Sequence, residues 1–168
     1  MDALPDLRPV SEAYASLPVA DAFTWQDASR ELGDGEWYLV AFRSIRRPDA
    51  DEAELTLYDE LAHQEAATAP GFVHYYKGPT ADDGSCLSFC LWLSRADARA
   101  AASRPAHLRA VTLIARMYQQ YRLEFHRVRR LAGGFLTFEP YDVAPPSVAE
   151  PRHDGLLPGL AVRPAAAF

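Results

Sequence analysis

Histidine and cysteine are the side chains of this sequence best suited to acid–base or metal chemistry. The five histidines stand at positions 63, 74, 107, 126 and 153, and none belongs to a His-x-His, His-x-x-x-His or Cys-x-x-Cys pair. Protein metal sites usually take several ligands from such short spacings. The sequence also lacks a glycine-rich phosphate loop and a Gly-x-Ser-x-Gly nucleophile elbow. We therefore predict no metal site and no cofactor.

His107 is the strongest candidate for a catalytic base. If residues 105 to about 120 form one helix, its inward stripe holds His107, Val111, Ile114 and Tyr118, with Arg109, Arg116 and Gln120 opposite. A helix N-terminus disfavours a positively charged imidazole. His107 is therefore expected to stay neutral and to accept a proton or a hydrogen bond. The alternative is a buried structural histidine that hydrogen-bonds the backbone.

Trp92 and Tyr118 are the aromatic candidates for the same site. Trp92 ends a predicted strand and can wall a flat apolar pocket, with Val111 and Ile114 as further apolar contacts. Tyr118 can donate a hydrogen bond to a substrate oxygen. Both residues also have a purely structural interpretation, Trp92 as a core aromatic and Tyr118 as a helix residue whose hydroxyl reaches solvent.

Two pairs of an acid and a histidine are weaker candidates. Glu124 and His126 share one face of a predicted strand, about 7 Å apart. They can form an acid–base couple or simply the polar face of an edge strand. Asp59 and His63 are four residues apart on a predicted helix, a spacing typical of a surface pair.

Composition and cysteine spacing limit the class of protein. Cys86 and Cys90 lie on one face of a predicted strand, roughly 13 Å apart, whereas a disulfide needs Cα atoms within about 7 Å. We expect both to be reduced.

The net charge of −6 argues against a nucleic-acid partner. Residues 1–23 carry four acids and three prolines, unlike an export signal. Without a run of the roughly 18 apolar residues that span a membrane, a cytoplasmic protein with no membrane contact is expected.

The order of elements predicts an α+β fold of ferredoxin-like type, β-α-β-β-α-β, with a four-stranded antiparallel sheet. Strands are predicted at 37–42, 72–77, 85–93 and 121–130, with a short candidate fifth at 135–138. Helices are predicted at 51–68 and from a Ser94–Asp97 capping box, through a break near Pro105, to about 120. We divide the chain into an irregular N-terminal lead-in (1–35) with a short helix capped by Thr24, the α+β domain (36–139) and an extended proline-rich C-terminal arm (140–168).

The third predicted strand is apolar on both faces. Leu87, Phe89, Leu91 and Leu93 point to one side, and Cys86, Ser88, Cys90 and Trp92 point to the other. A sheet with one solvated face normally alternates apolar and polar residues, so both faces are expected to be covered. Because the two main helices cover one face, we predict that a second copy covers the other in a two-fold dimer. The alternative cover is residues 1–35 or 140–168.

Residues 37–138 resemble the dimeric α+β barrel superfamily, and within it the antibiotic-biosynthesis monooxygenase-like proteins. The resemblance rests on the element order and on Trp92-Leu93-Ser94 at a strand end, followed by a helix with an inward histidine. It implies a homodimer and a pocket between helices and sheet. His107 stands fifteen residues beyond Trp92, farther than in common members. Residues 94–120 also lack the second tryptophan of the haem-degrading branch.

Members of the superfamily include cofactor-independent monooxygenases of aromatic substrates. The resemblance therefore implies a protein that binds a small apolar organic molecule. We expect an oxygenase-like enzyme in which His107 deprotonates a flat apolar substrate that then supplies its own electrons, so that no cofactor is required. The alternative is a non-catalytic dimeric module that binds a ligand or a protein. A closed pocket containing His107 favours the enzyme.

Overall fold

A computed structural model describes residues 4–132 and 134–141, and these residues form one five-stranded antiparallel sheet. Its strands are β1 (Gly35–Arg46), β2 (Phe72–Tyr76), β3 (Ser85–Trp92), β4 (Tyr118–Arg130) and β5 (Leu136–Pro140). The spatial order is β2-β3-β1-β4-β5, so the first four strands have the ferredoxin-like arrangement and the predicted α+β fold is confirmed. The sheet has five strands rather than four, because the candidate strand at 135–138 is present as β5 and pairs with residues 126–130 of β4.

The helices lie on both faces of the sheet, with the first two on one face and the later helices on the other. Along the chain they are α1 (Val19–Ala22), α2 (Trp25–Ala28), α3 (Glu52–Ala67), α4 (Arg95–Ala102), α5 (Pro105–Thr112) and α6 (Ile114–Met117). α3 and α4 begin at side-chain caps: Asp51 accepts a hydrogen bond from the Glu54 amide at 2.9 Å, and Ser94 accepts one from the Asp97 amide at 3.2 Å. α3, α4 and α5 cover one face of the sheet.

The second helical segment is shorter than its sequence pattern predicts. α5 begins at Pro105, the first-turn position that proline favours. The helix then breaks at Leu113, and α6 ends at Met117 rather than near residue 120. Tyr118 is consequently the first residue of β4, so its predicted place on a helical stripe is wrong.

The N-terminal segment, residues 4–32, covers the other face of the sheet. Its short helices and the turns between them bury a set of apolar side chains against the sheet: Leu4, Leu7, Tyr14, Val19, Ala22, Phe23 and Trp25. Phe23 and Trp25 contact the ring of Phe89 with centroids 5.5 and 4.8 Å apart. Leu87 and Phe89 are fully buried within the single chain. The prediction that β3 is covered on both faces is confirmed, but the cover is the chain itself rather than a second copy.

Thr24 does not cap α2 as predicted. Its amide donates to the Arg8 carbonyl at 2.9 Å, and its hydroxyl accepts from the Arg8 amide at 3.0 Å. These bonds extend the short Pro9–Phe23 bridge, which leaves the hydroxyl unavailable to the helix. The predicted C-terminal arm lies outside the described residues except for Pro140 and Tyr141.

Arg43 connects the sheet to the N-terminal segment. Its guanidinium donates to Glu124 Oε1 at 2.9 Å, to the Leu17 carbonyl at 2.9 Å and to the Ala15 carbonyl. His126 Nε2 lies 3.7 Å from Glu124 Oε2. The polar residues of β4 therefore lie beneath the N-terminal segment. The interpretation of β4 as an edge strand is wrong, because β5 pairs with its outer side.

Candidate functional site

A cavity of about 210 Å³ lies between the helices and the sheet. Most of its floor is formed by alternate residues of the strands, because side chains on one face recur at every second position. Tyr118 and Tyr121 are three residues apart, and the pairing register with β1 shifts between them. The floor comprises Val40, Phe42 and Ser44 of β1, Tyr75 of β2, Cys86, Ser88, Cys90 and Trp92 of β3, and Tyr118 and Tyr121 of β4. The helical wall comprises Leu55, Asp59, Ala62, His63 and Ala66 of α3, Ala98, Ala101 and Ala102 of α4, and His107 and Ala110 of α5.

The small side chains of the helical wall explain why a cavity exists there. α4 and α5 present mainly alanines to the sheet, and these cannot fill the space above β3. Trp92 closes one side. It is only 4% exposed and packs edge-on against Phe72 with ring centroids 5.4 Å apart. The result is a largely apolar chamber with an aromatic wall.

His107 is held in the cavity wall by the first turn of α5. Glu65 of α3 accepts hydrogen bonds from the Ala106 amide at 2.9 Å and from the His107 amide at 3.2 Å. Arg104 fastens the same junction by donating to the Glu65 carbonyl at 2.9 Å and to the Thr68 hydroxyl at 3.1 Å. These contacts occupy amides that a helix N-terminus otherwise leaves unpaired.

The His107 imidazole is partly buried, and burial lowers its pKa below the ordinary 6.5 even though the nearby Glu65 carboxylate acts in the opposite direction. The ring is therefore neutral at neutral pH. A neutral imidazole has one nitrogen that can accept a proton or a hydrogen bond from a ligand. This is the protonation state that a general base needs.

Three tyrosines and a paired carboxylate give the cavity a second polar region. The Tyr75 hydroxyl donates to Asp59 Oδ1 at 2.5 Å, and Lys77 Nζ lies 3.0 Å from Asp59 Oδ2. Tyr118 and Tyr121 pack together with ring centroids 5.3 Å apart. Burial raises the pKa of Tyr75, Tyr118 and Tyr121, so all three hydroxyls keep their protons.

The structure brings together three of the five residues singled out from the sequence. His107, Trp92 and Tyr118 all line the cavity. Val111 and Ile114 do not, and Val111 is 45% exposed. The helical stripe failed for Ile114 because it assumed one uninterrupted helix, whereas Ile114 follows the turn at Leu113. Val111 lies before that turn, and Ala110 rather than Val111 is the α5 residue that lines the cavity with His107.

Sequence reasoning missed several cavity residues. Asp59 and His63 were interpreted as a surface pair. His63 is exposed, but both residues line the cavity, and Asp59 bonds Tyr75 and Lys77 rather than His63. Tyr75 could have been found from strand pairing, because it lies opposite Cys90 and so shares the face of Trp92. Cys86 and Cys90 are free thiols, and both line the cavity.

Metal-ligand clusters and membrane-spanning helices are absent from the described part of the chain. Residues 4–132 and 134–141 contain no group of three or more His, Cys, Asp or Glu side chains that could hold a metal ion. Within the same residues, no helix combines the length and apolar character needed to cross a membrane.

Comparisons with known proteins place the chain in one family. The family model described as PB2B2.08-like matches residues 1–139. A search of curated proteins finds no significant match.

Among solved structures, the chain is similar to antibiotic-biosynthesis monooxygenase-like proteins. SnoaB, a cofactor-independent oxygenase from Streptomyces nogalater, is 20% identical, with 60% of this chain and 96% of SnoaB covered and a TM-score of 0.44. Rv0793 from Mycobacterium tuberculosis is 20% identical, with 59% and 99% covered and a TM-score of 0.47. A putative antibiotic biosynthesis monooxygenase from Nitrosomonas europaea is 12% identical, with 62% and 98% covered and a TM-score of 0.48. At these identities and TM-scores, the similarity assigns neither a reaction nor a ligand to this chain.

Proposed function

The chain belongs to the PB2B2.08-like family, and we propose that it binds a small, flat, largely apolar organic molecule in the cavity and oxidises it with molecular oxygen, without a cofactor. One observation carries the proposal: a largely apolar cavity, partly open to solvent, lies between helices and sheet, and a neutral histidine lines it. A pocket of this kind with a few polar groups is the usual form of a small-molecule site.

The proposed reaction begins with proton transfer to His107. A hydroxylated aromatic ligand that donates its hydroxyl proton to the neutral imidazole becomes an electron-rich anion. This anion can reduce O₂, so that one oxygen atom becomes a carbonyl on a ring carbon, the ring is oxidised to a quinone, and the hydroxyl proton and the hydrogen displaced from that carbon leave with the other oxygen atom as water. Trp92 would pack against the aromatic ring of the ligand and so fix its orientation in the cavity. Tyr118, which keeps its proton, would donate a hydrogen bond to a ligand oxygen.

The volume limits the size of the ligand. An apolar protein cavity of about 150 Å³ is enough to bind benzene. The cavity here, at about 210 Å³, suits one or two fused aromatic rings. Haem, flavins and four-ring aromatic molecules are too large for it unless α4 and α5 move away from the sheet.

A non-catalytic ligand-binding module is the second candidate. It is favoured by the three protonated tyrosines and the paired Asp59, which can bind polar substituents without transferring a proton. In that case His107 would accept a hydrogen bond from the ligand and no product would form.

The proposed location and oligomeric state of the protein rest on its sequence. Two free thiols are consistent with the cytoplasm, where disulfides are rare. Homodimerisation stays a prediction. Because residues 4–32 fill the second face of β3, a homodimer would have to pair through another surface.

Binding and turnover are best measured on the same full-length protein. The binding probe is 2-naphthol, scored by melting temperature and by affinity, because a ligand at 100 times its dissociation constant adds about 2.7 kcal/mol to stability. The turnover probe is 1,5-dihydroxynaphthalene, whose oxidation by one O₂ to a hydroxynaphthoquinone and water can be followed by oxygen uptake. His107→Asn is expected to abolish uptake, and Leu108→Ala, a change at an exposed position on the same helix, is the matched control.

Three outcomes separate the candidates. Binding with oxygen uptake that depends on His107 supports the enzyme. Binding without uptake supports the binding module instead. If neither naphthol binds, the cavity is not a site for ligands of this class and both candidates fail.

A further inference from the structure

Asp59, Tyr75 and Lys77 form a polar group at the mouth of the cavity, separate from His107. Tyr75 donates to one oxygen of Asp59 at 2.5 Å, and Lys77 contacts the other at 3.0 Å. The Lys77 side chain is 47% exposed, so this group lies where the cavity meets solvent. Each of the three side chains lines the cavity, and the family comparison assigns none of them a role.

After bonding Asp59, Tyr75 and Lys77 retain a defined set of donors and acceptors for a ligand. Tyr75 uses its only proton on Asp59, so its oxygen can still accept but not donate. Lys77 has three N–H donors, of which Asp59 needs one, so others can donate to a ligand oxygen. A hydroxyl can use both, because it donates to Tyr75 and accepts from Lys77. A carbonyl oxygen can use only Lys77.

The charges at this end favour a neutral substituent. Asp59 balances Lys77, and Glu52 balances Arg46, the other cation of the lining, at 3.3 Å. A ligand carboxylate would meet the Asp59 carboxylate with no unpaired cation to offset the repulsion. A hydroxyl or carbonyl carries no such cost.

The distance between the two polar regions sets the length of the ligand. Glu65 of α3 binds the backbone of His107, and Asp59 lies six residues earlier on the same helix. Six residues of α-helix span roughly 9 Å. The two polar regions are therefore anchored at different points along α3, and a ligand must be elongated to reach both.

We propose that Tyr75 and Lys77, oriented by Asp59, recognise a neutral oxygen substituent at the end of the ligand remote from His107. The inference rests on the proposed function, since it concerns the same cavity. It names the substrate class as two-ring aromatics that carry a hydroxyl or carbonyl at both ends.

Three probes test the proposal by titration calorimetry on the full chain. They are 2-naphthol, 2,6-dihydroxynaphthalene, which adds a hydroxyl at the far end, and 6-hydroxy-2-naphthoate, which adds a carboxylate there. The second hydroxyl is expected to tighten binding about tenfold over 2-naphthol, the effect of one or two net hydrogen bonds. The carboxylate is expected to give no such gain.

Two variants test whether Tyr75 and Lys77 are responsible for the tighter binding of 2,6-dihydroxynaphthalene. Tyr75→Phe and Lys77→Met should each remove most of the tenfold preference for 2,6-dihydroxynaphthalene, measured as the ratio of its affinity to that of 2-naphthol in the same variant. Lys77→Met keeps the apolar stem of an exposed side chain, so it tests the proposal even if Tyr75→Phe folds poorly. Arg116→Met is the matched control, because it also removes a cation bonded to an α3 carboxylate, Glu54 at 2.7 Å, but outside the cavity.

The outcomes distinguish this inference from the proposed function. If 2-naphthol binds but the second hydroxyl adds nothing, or the gain survives both variants, the recognition site is wrong and the proposed function stands. Tighter binding of the carboxylate than of the diol also overturns it, because the site would then select an anion. If no probe binds, both proposals fall together.

Discussion

At the scale of single residues, the environment of His107 decides what its imidazole can do. The ring is partly buried beside alanines, and its strongest electrostatic neighbour is Glu65, which opposes but does not cancel the effect of burial. A histidine in this setting is neutral, and among residues 4–132 and 134–141 its ring lines the cavity without a hydrogen-bond partner. That combination distinguishes a candidate base from a structural histidine.

His107 should make the stability of the protein depend on pH below 6.5. Because burial lowers its pKa in the folded chain, the unfolded chain binds the proton first as pH falls, and the free energy of unfolding decreases. Above 6.5 the effect is absent. Urea unfolding at pH about 7.5 and about 5 is expected to show a smaller difference in His107→Asn than in the wild type. An unchanged difference would show that His107 does not titrate as inferred.

The sequence predicted correctly that a residue faces the cavity where the geometry of a single strand or a single helical turn determines its position. Trp92 was placed correctly because strand alternation and the Ser94 cap fix its face and its position. His107 was placed correctly because it lies in the first turn after Pro105, before the helix breaks. Val111 was misplaced because its assignment depended on helical phase alone, and Tyr75 was missed because its position depends on pairing with β3.

At the scale of elements, hydrogen bonds to α3 fix the position of the first turn of α5. Its Glu65 side chain binds the first two free amides of α5, and its backbone carbonyl binds Arg104. The orientation of His107 thus depends on a contact between elements forty residues apart in sequence. No local pattern could have predicted it, because Glu65 lies on the otherwise exposed end of an ordinary helix.

Replacing Glu65 should affect both stability and ligand affinity. Glu65→Ala removes the acceptor of two amides and is expected to cost about 1 kcal/mol, as at a lost helix cap. It should also weaken 2-naphthol binding, because the first turn of α5 loses its anchor. Glu65→Gln keeps an acceptor oxygen and should lie near the wild type in urea unfolding and calorimetry. Equal behaviour of the two variants would show that the hydrogen bonds do not position α5.

The strand order was predictable from the sequence, but the length of β4 was not. Alternation at residues 121–130 gave the right strand and the right faces, yet β4 starts at Tyr118 and its far end pairs with β5. Tyr118 and Tyr121 are three residues apart, a spacing that fits one face of a helix better than one face of a strand, so the sequence around Tyr118 is ambiguous between a helix end and a strand start. Pairing of Tyr118 with Arg46 across β1 resolves the ambiguity in favour of the strand.

At the scale of the whole molecule, the N-terminal segment converts a two-sided sheet into a complete single-chain core. Residues 4–32 bury Leu39, Ala41, Leu87 and Phe89 completely. The sequence showed that this face needed a cover, because β3 is apolar on both sides. It did not show which cover, since two copies and an intramolecular segment satisfy the same hydrophobic pattern.

The Arg43–Glu124 pair should hold this segment to the sheet. Arg43→Met leaves Glu124 without its main hydrogen-bond donor and is expected to cost about 2 kcal/mol. It should also speed amide exchange in residues 11–17, because two carbonyls of that turn lose their donor. Arg30→Met, which breaks an exposed pair with Asp27, is the matched control. Equal exchange in both variants would contradict a clamping role.

The same pair should contribute to acid sensitivity. Contact with His126 and hydrogen bonds from Arg43 lower the pKa of Glu124 from its ordinary 4.5 to about 2. The stabilisation is therefore complete above about 4.5 and is lost as pH falls towards 2. Glu124→Gln should flatten this part of the stability profile in thermal melts across that range. A parallel profile for Glu124→Gln would place the acid-sensitive group elsewhere.

Removing the cover is the most direct test of its role. A chain lacking residues 1–33 exposes the apolar face of β1 and β3, which is large enough to drive association. Sedimentation velocity over a range of concentrations is expected to show that this variant self-associates. A point variant that places a charge on the exposed face, Leu87→Asp made in the shortened chain, should reverse the association if the sheet face causes it. If the full chain proves dimeric and deletion of residues 1–33 leaves that state unchanged, pairing occurs through a surface other than this face. A shortened chain that stays monomeric and folded would show that residues 4–32 are not needed to shield the sheet.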